Sequence, residues 1–138
     1  MNKINLGSCE VDLNDLTISD DFNKINQDLS THPGKFLQVA LASSHFRLER
    51  ERVENEYERV VATVDRDIRE ASAKKPPEDQ IKNIIRLDGR VIEAEKAVMD
   101  ARDSELRASM VLEAFRQRKD CLVSIAGNLR SQFENTGV

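Results

Sequence analysis

The chain has 138 residues, 39% hydrophobic and 33% charged, with five Gly, three Pro, no Trp and an aromatic content of 4%. That is chain enough for one domain, and the shortage of turn and strand formers excludes sandwiches, barrels and doubly wound sheets, so an all-α fold is expected. A net charge of −4, from 21 Lys plus Arg against 25 Asp plus Glu, excludes a uniformly basic coat for nucleic acid and leaves only local patches.

The acidity lies at the start, where residues 1–31 hold two basic and six acidic side chains. Residues 1–18 alternate loosely between apolar and polar, with Ile4, Leu6, Val11, Leu13, Leu16 and Ile18 on the apolar side. This predicts a solvated acidic arm or a short strand with no partner strand elsewhere. Ser19, Asp20 and Asp21 read as the N-cap and acidic first turn of a short helix over about 19–29. His32, Pro33 and Gly34 are expected to break it.

From Phe36 to Ala73 there is neither Gly nor Pro, which predicts a long helix over about 35–73. Phe46, Val53, Tyr57, Val60, Val64 and Ile68 recur at three- and four-residue spacing and so share one stripe. Lys74, Lys75, Pro76 and Pro77 end it, since consecutive prolines remove donors and force the backbone out of helical geometry. A short helix over 77–87 carries Ile81, Ile84, Ile85 and Leu87, and Asp88 with Gly89 makes a corner.

A final helix is predicted over 90–134. A heptad frame puts Val91, Ala94, Val98, Ala101, Glu105, Ala108, Leu112, Phe115, Lys119, Leu122, Ala126, Leu129 and Phe133 at a and d, eleven of the thirteen being apolar. The expected architecture is thus a long antiparallel helical hairpin with a short N-terminal helix and a short connecting helix, forming a single helical domain over 19–138. Met99, Leu106, Met110, Val111, Val123 and Ile125 lie off the main seam and make a second apolar face, which predicts a homo-oligomer. Glu105 and Lys119 within the seam would then set register or pair across subunits.

No apolar run approaches the ~20 residues of a membrane span, and the first fifteen residues lack a signal-peptide core, so a reduced cytoplasmic setting without membrane contact is expected. Cys9 and Cys121 make neither a metal-ligand pair nor a disulfide framework. His32 and His45 stand apart from any Cys or carboxylate at ligand spacing and read as solvent-facing or helix-entry residues. Phosphate-cradling glycine loops, GxSxG and HExxH are absent, and pairs such as Asp65 with Asp67 or Asp100 with Asp103 read as surface charge. No enzyme, metal or cofactor is expected.

Basic residues cluster twice. Arg59, Arg66, Arg69, Lys74 and Lys75 follow the first long helix into its loop, and Arg116, Arg118 and Lys119 form a compact run in the last helix. Cations at a helix C-terminus also favour its dipole, so the first cluster serves structure and phosphate binding equally well. Repetition of a weak patch around an oligomer would multiply its local affinity.

The run from Leu87 through Asp88, Gly89, Arg90, Val91, Ile92, Glu93, Ala94 and Glu95 to Lys96, and the run from Leu112 through Phe115, Arg116, Gln117, Arg118, Lys119 and Asp120 to Leu122, together with the order of elements, resemble the UvsY family of phage recombination mediators. The resemblance covers most of the chain beyond Ser19. It implies a ring-like homo-oligomer of six or seven subunits assembled through the C-terminal helix, with Leu112, Phe115, Leu122, Ile125, Leu129 and Phe133 at the contacts. It implies single-stranded DNA binding, displacement of a single-strand-binding protein, and loading of a RecA-like recombinase in DNA recombination, repair and replication, in the host cytoplasm if phage-encoded. The family's basic stretch corresponds to Val64, Asp65, Arg66, Asp67, Ile68 and Arg69, where the interleaved Asp65 and Asp67 shift weight to Lys74, Lys75 and the run from Arg116 to Lys119. A structural coiled-coil assembly or scaffold that ignores DNA, and a helical adaptor that binds protein clients, are the competing readings.

Overall fold

A computed structural model describes residues 2–137. Two short strands, β1 (Lys3–Asn5) and β2 (Glu10–Asp12), precede a 3-10 turn (Leu13–Leu16) and three helices, α1 (Phe22–Ala71), α2 (Glu78–Leu87) and α3 (Gly89–Asn135). The fold is all-α apart from the small N-terminal ladder. No helix among the described residues is long and apolar enough to cross a membrane. Contacts divide the chain into two units, one built from the residues up to His45 and from Leu106 onward, the other from Phe46–Glu105. The first unit also takes in the N-terminal arm.

In the first unit the arm pairs with itself. β1 and β2 are antiparallel, with Ile4 opposite Val11, so the strand expected to lack a partner finds one five residues away. Gly7 takes φ +75°, a conformation that a side chain would strain, and the Asn5 side-chain oxygen accepts its N–H at 2.8 Å. Leu6 and Val11 are buried, which makes this segment part of the core rather than a solvated arm.

Asp21, not Ser19, caps α1: its carboxylate accepts the Asn23 N–H at 3.1 Å. The expected break at Pro33 does not occur, and the predicted helices over 19–29 and 35–73 are one helix. An interior proline costs a helix ~3 kcal/mol through the lost donor and ring crowding. That cost is met by packing on the turn it disturbs. His32 is buried against Phe36 and Phe115, with ring centroids at 6.2 and 5.7 Å, and the Thr31 hydroxyl donates to the Gln27 carbonyl at 3.2 Å. Ile25, Leu122 and Ala126 form the centre of this unit's core, flanked by Leu29, Ile125 and Leu129. Phe22 meets Phe133 edge-on at 5.5 Å. The pairings descend along α3 as they rise along α1, so the two helical segments are antiparallel here.

The heptad frame of α3 holds at Val91, Val98, Ala108, Phe115, Leu122 and Ala126, all buried. It slips by one residue at two places: Val111 and Arg118 are buried where the frame puts Leu112 and Lys119, which are half-buried and exposed. The physical reason at the second place is charge. Lys119 pairs at the surface with the neighbouring Asp120 at 3.4 Å, whereas Arg118 finds Asp28 inside.

The second unit is the continuous stretch Phe46–Glu105. Val64, Ile81, Val91 and Val98 are its buried residues, one or two from each helix segment. Ion pairs tie the segments in antiparallel order: Arg50 with Glu105, Glu54 with Arg102 at 3.0 Å, and Asp67 with Arg90 at 3.0 Å. Glu105 thus pairs within its own chain. Asp88 ends α2, its N–H bonded to the Ile85 carbonyl at 3.1 Å, and caps α3 by accepting the Arg90 N–H at 2.9 Å. One residue therefore makes the corner expected of Asp88 and Gly89.

Candidate nucleic-acid interface

The basic residues singled out in the sequence fall in both units. In the second, α1 delivers Arg59, Arg66 and Arg69 along its last turns, and the connection over 72–77 carries Lys74 and Lys75. Between Arg59 and Arg90 there are eight basic and six acidic side chains, a local excess of cations in an acidic chain.

These cations are not equally available. Arg59 and Arg66 are exposed and hold their carboxylates loosely, at 3.6 Å for Glu56 and at 3.7 and 4.0 Å for Asp67 and Glu70. Lys74 is exposed and has no ion-pair partner among the described residues. Lys75 meets Glu78 at 2.9 Å. Exposed pairs of this kind contribute little, being screened by water and salt, so a phosphate can replace the carboxylate at small cost. Arg69 differs. It is bound by Asp65 at 3.1 Å and Glu78 at 3.1 Å, and these hydrogen bonds hold its pKa above the ordinary arginine value. Glu78 is pushed down to about 2 by the hydrogen bonds it accepts from Lys75 and then from Arg69. Arg69 therefore fastens α2 to the end of α1.

Sequence reasoning missed Lys82 and Arg86, which are exposed on α2 and have no ion-pair partner among the described residues. Their spacing of four residues on an amphipathic helix was the available signal.

In the first unit, Arg116 and Lys119 are exposed; Arg116 pairs with Glu113 at 3.6 Å and lies 6.0 Å from the Phe36 ring centroid. Arg118 is the exception to the predicted run. Only 5% exposed, its guanidinium reaches Asp28 at 3.4 Å and His32 Nδ1 at 3.3 Å and donates to the Thr17 carbonyl at 3.2 Å. This cation is committed to the interior and offers nothing to a phosphate. His32, expected to face solvent or stand at a helix entry, is 3% exposed, and its Nε2 has no hydrogen-bond partner among the described residues. Burial first, then Arg118, Lys119 and Lys35, hold its pKa below the usual histidine value.

Of the residues expected at subunit contacts, Phe115 and Leu122 are buried inside this unit, while Leu112, Ile125 and Leu129 are half-buried and Phe133 is exposed. Leu37, Leu41, Leu106, Met110 and Val123 are also exposed here. Val111, placed by the sequence on the second apolar face, is in the core instead. No group of three or more His, Cys, Asp or Glu that could hold a metal occurs among the described residues. Comparison with known families, curated proteins and solved structures returned no match.

Proposed function

We propose that the chain is a non-enzymatic recombination mediator, which binds single-stranded DNA without sequence specificity and helps a RecA-like recombinase displace a single-strand-binding protein. The observation that supports this most is the set of exposed cations along the last turns of α1 and the connection to α2: Arg59 and Arg66, loosely paired, Lys74, with no ion-pair partner among the described residues, and Lys75, paired with Glu78 at the surface. Such side chains grip a phosphate backbone by releasing counterions and read no base sequence. The UvsY-like runs on α3 supply the functional frame. Assembly into a homo-oligomer of six or seven subunits belongs to the same proposal; the exposed Leu37, Leu41, Leu106 and Met110 support it, because apolar side chains on soluble surfaces tend to mark association sites. Cations repeated around such an assembly would bind a strand far more tightly than one copy.

Fluorescence anisotropy with a labelled single-stranded oligonucleotide, at low and physiological salt, beside a duplex control and light scattering for mass, tests the reading. Sequence-tolerant, salt-sensitive binding by an oligomer that prefers single strands is expected. Replacement of Arg59, Arg66, Lys74 and Lys75 by Ala should weaken binding and flatten its salt dependence while leaving the mass unchanged. Absence of binding at low salt would refute the mediator and leave a scaffold of helices.

A further inference from the structure

The second unit carries a groove that none of the cations above explains. Its wider part, a hollow of about 550 Å³, has Tyr57, Val98 and Met99 as its apolar surface. Its narrower part, about 330 Å³, has Val61, Ile85 and Val91. Tyr57 and Glu95 line both, so the two are continuous. Met99 is 64% exposed, a large flexible side chain left to water at the groove's edge.

The charges around this floor follow its length. Glu58 stands at the wide part, Lys82 and Arg86 at the narrow part, and Glu95 where the two meet, and none of the four has an ion-pair partner among the described residues. In α1 from residue 46 onward, Glu58 is the one charged side chain so left among the described residues, every other being paired. Arg102, which also lines the wide part, does not neutralise it, being spent on Glu54 at 3.0 Å. A nucleic acid is a poor occupant, because two free carboxylates would face its phosphates.

We propose that this groove docks an amphipathic helix of a partner protein, apolar face down, with basic side chains over Glu58 and Glu95 and acidic ones over Lys82 and Arg86. From Val91 to Met99 the floor extends about 12 Å along α3, the length of roughly two helical turns. Helices that lie in grooves are recognised in this manner, by apolar anchors at helical spacing with flanking charge fixing the orientation. The inference shares Lys82 and Arg86 with the candidate interface, but it needs none of Arg59, Arg66, Lys74 and Lys75, and Glu58, Glu95 and the apolar floor have no part in holding phosphate.

The probe is a labelled synthetic helix of about twelve residues with a leucine stripe, glutamates in its first half and lysines in its second. A control peptide has identical composition with the charges alternating. Anisotropy should show the sorted peptide binding at least about tenfold more tightly at low salt. That margin should vanish in Glu58→Lys with Glu95→Lys, and Met99→Asp should weaken both peptides; these side chains are at the surface, and unchanged circular dichroism would confirm that the variants fold. Equal binding of the two peptides, binding by neither, or indifference to the substitutions would overturn the proposal. So would sedimentation in which Met99→Asp converts an oligomer to monomer, since the groove would then be filled by a second copy of the chain.

Discussion

Replacing Arg118 tests whether its guanidinium holds the interior of the first unit or is a cation that phosphates can reach. In Arg118→Met the aliphatic volume stays but the Asp28 carboxylate, at 8% exposure, loses its internal cation, and the Thr17 carbonyl loses its donor. Removing one member of a buried ion pair costs 3–5 kcal/mol. Lys24 still reaches Asp28 at 3.3 Å from a more exposed position, which puts the loss at the lower end, about 3 kcal/mol. With an unfolding entropy of about 2.1 cal/mol/K per residue, that lowers Tm by roughly 10 °C. Asp28→Met combined with Arg118→Met removes both charges and should recover most of the loss, as apolar replacements of buried pairs commonly do. Urea and thermal melts followed by circular dichroism measure both variants. The double variant then serves as the DNA control: its salt slope for single-stranded DNA should equal that of the unaltered protein. A single variant as stable as the parent, or a double variant with a reduced salt slope, would refute the internal role and return Arg118 to the surface.

Three further outcomes follow from the same unit. Pro33→Ala restores an N–H to the helix interior at an exposed position and should stabilise the protein by about 1–3 kcal/mol in urea melts; destabilisation would argue that α1 does break there. Phe115→Ala removes a ring that is 1% exposed and should cost about 3–5 kcal/mol, seen as early loss of the near-ultraviolet signal, with a stable variant refuting the core assignment. His32, whose pKa is held down by burial, takes up its proton more readily in the unfolded chain, so stability is full above the ordinary histidine pKa and declines as pH falls below it. His32→Gln should flatten that decline between pH 7 and 5, and an unchanged profile would show that another group causes it.

The helical content was legible because it follows from spacing. The runs after the Lys-Pro-Pro break, the corner at Asp88 and most of the α3 stripe depend on local periodicity and local caps, which the chain displays directly. Pro33 was misread for the opposite reason: its local cost is real, and it is overridden by His32 packing on Phe115, a contact 83 residues distant in sequence. Arg118 and Lys119 look alike in a heptad frame, and only the position of Asp28 on another helix distinguishes them. The N-terminal ladder was missed because three-residue strands have little pattern to show, although Gly7 midway between Ile4 and Val11 was a usable turn signal. At the candidate interface the residue types were found, but availability was not, since Arg69 and Arg118 are withdrawn by partners that the sequence does not order in space.

Arg118 reaches back across 101 residues to the Thr17 carbonyl, so the first unit is assembled from the two ends of the chain. The second unit is one uninterrupted stretch and holds every partner it requires once Glu105 has been made. During synthesis the start of α1 must therefore wait, with Ile25 uncovered, until Leu122 and Ala126 emerge. Truncation near residue 105 should consequently leave the middle stretch folded and the start of α1 without the residues that cover Ile25, a liability to proteases that intact protein lacks.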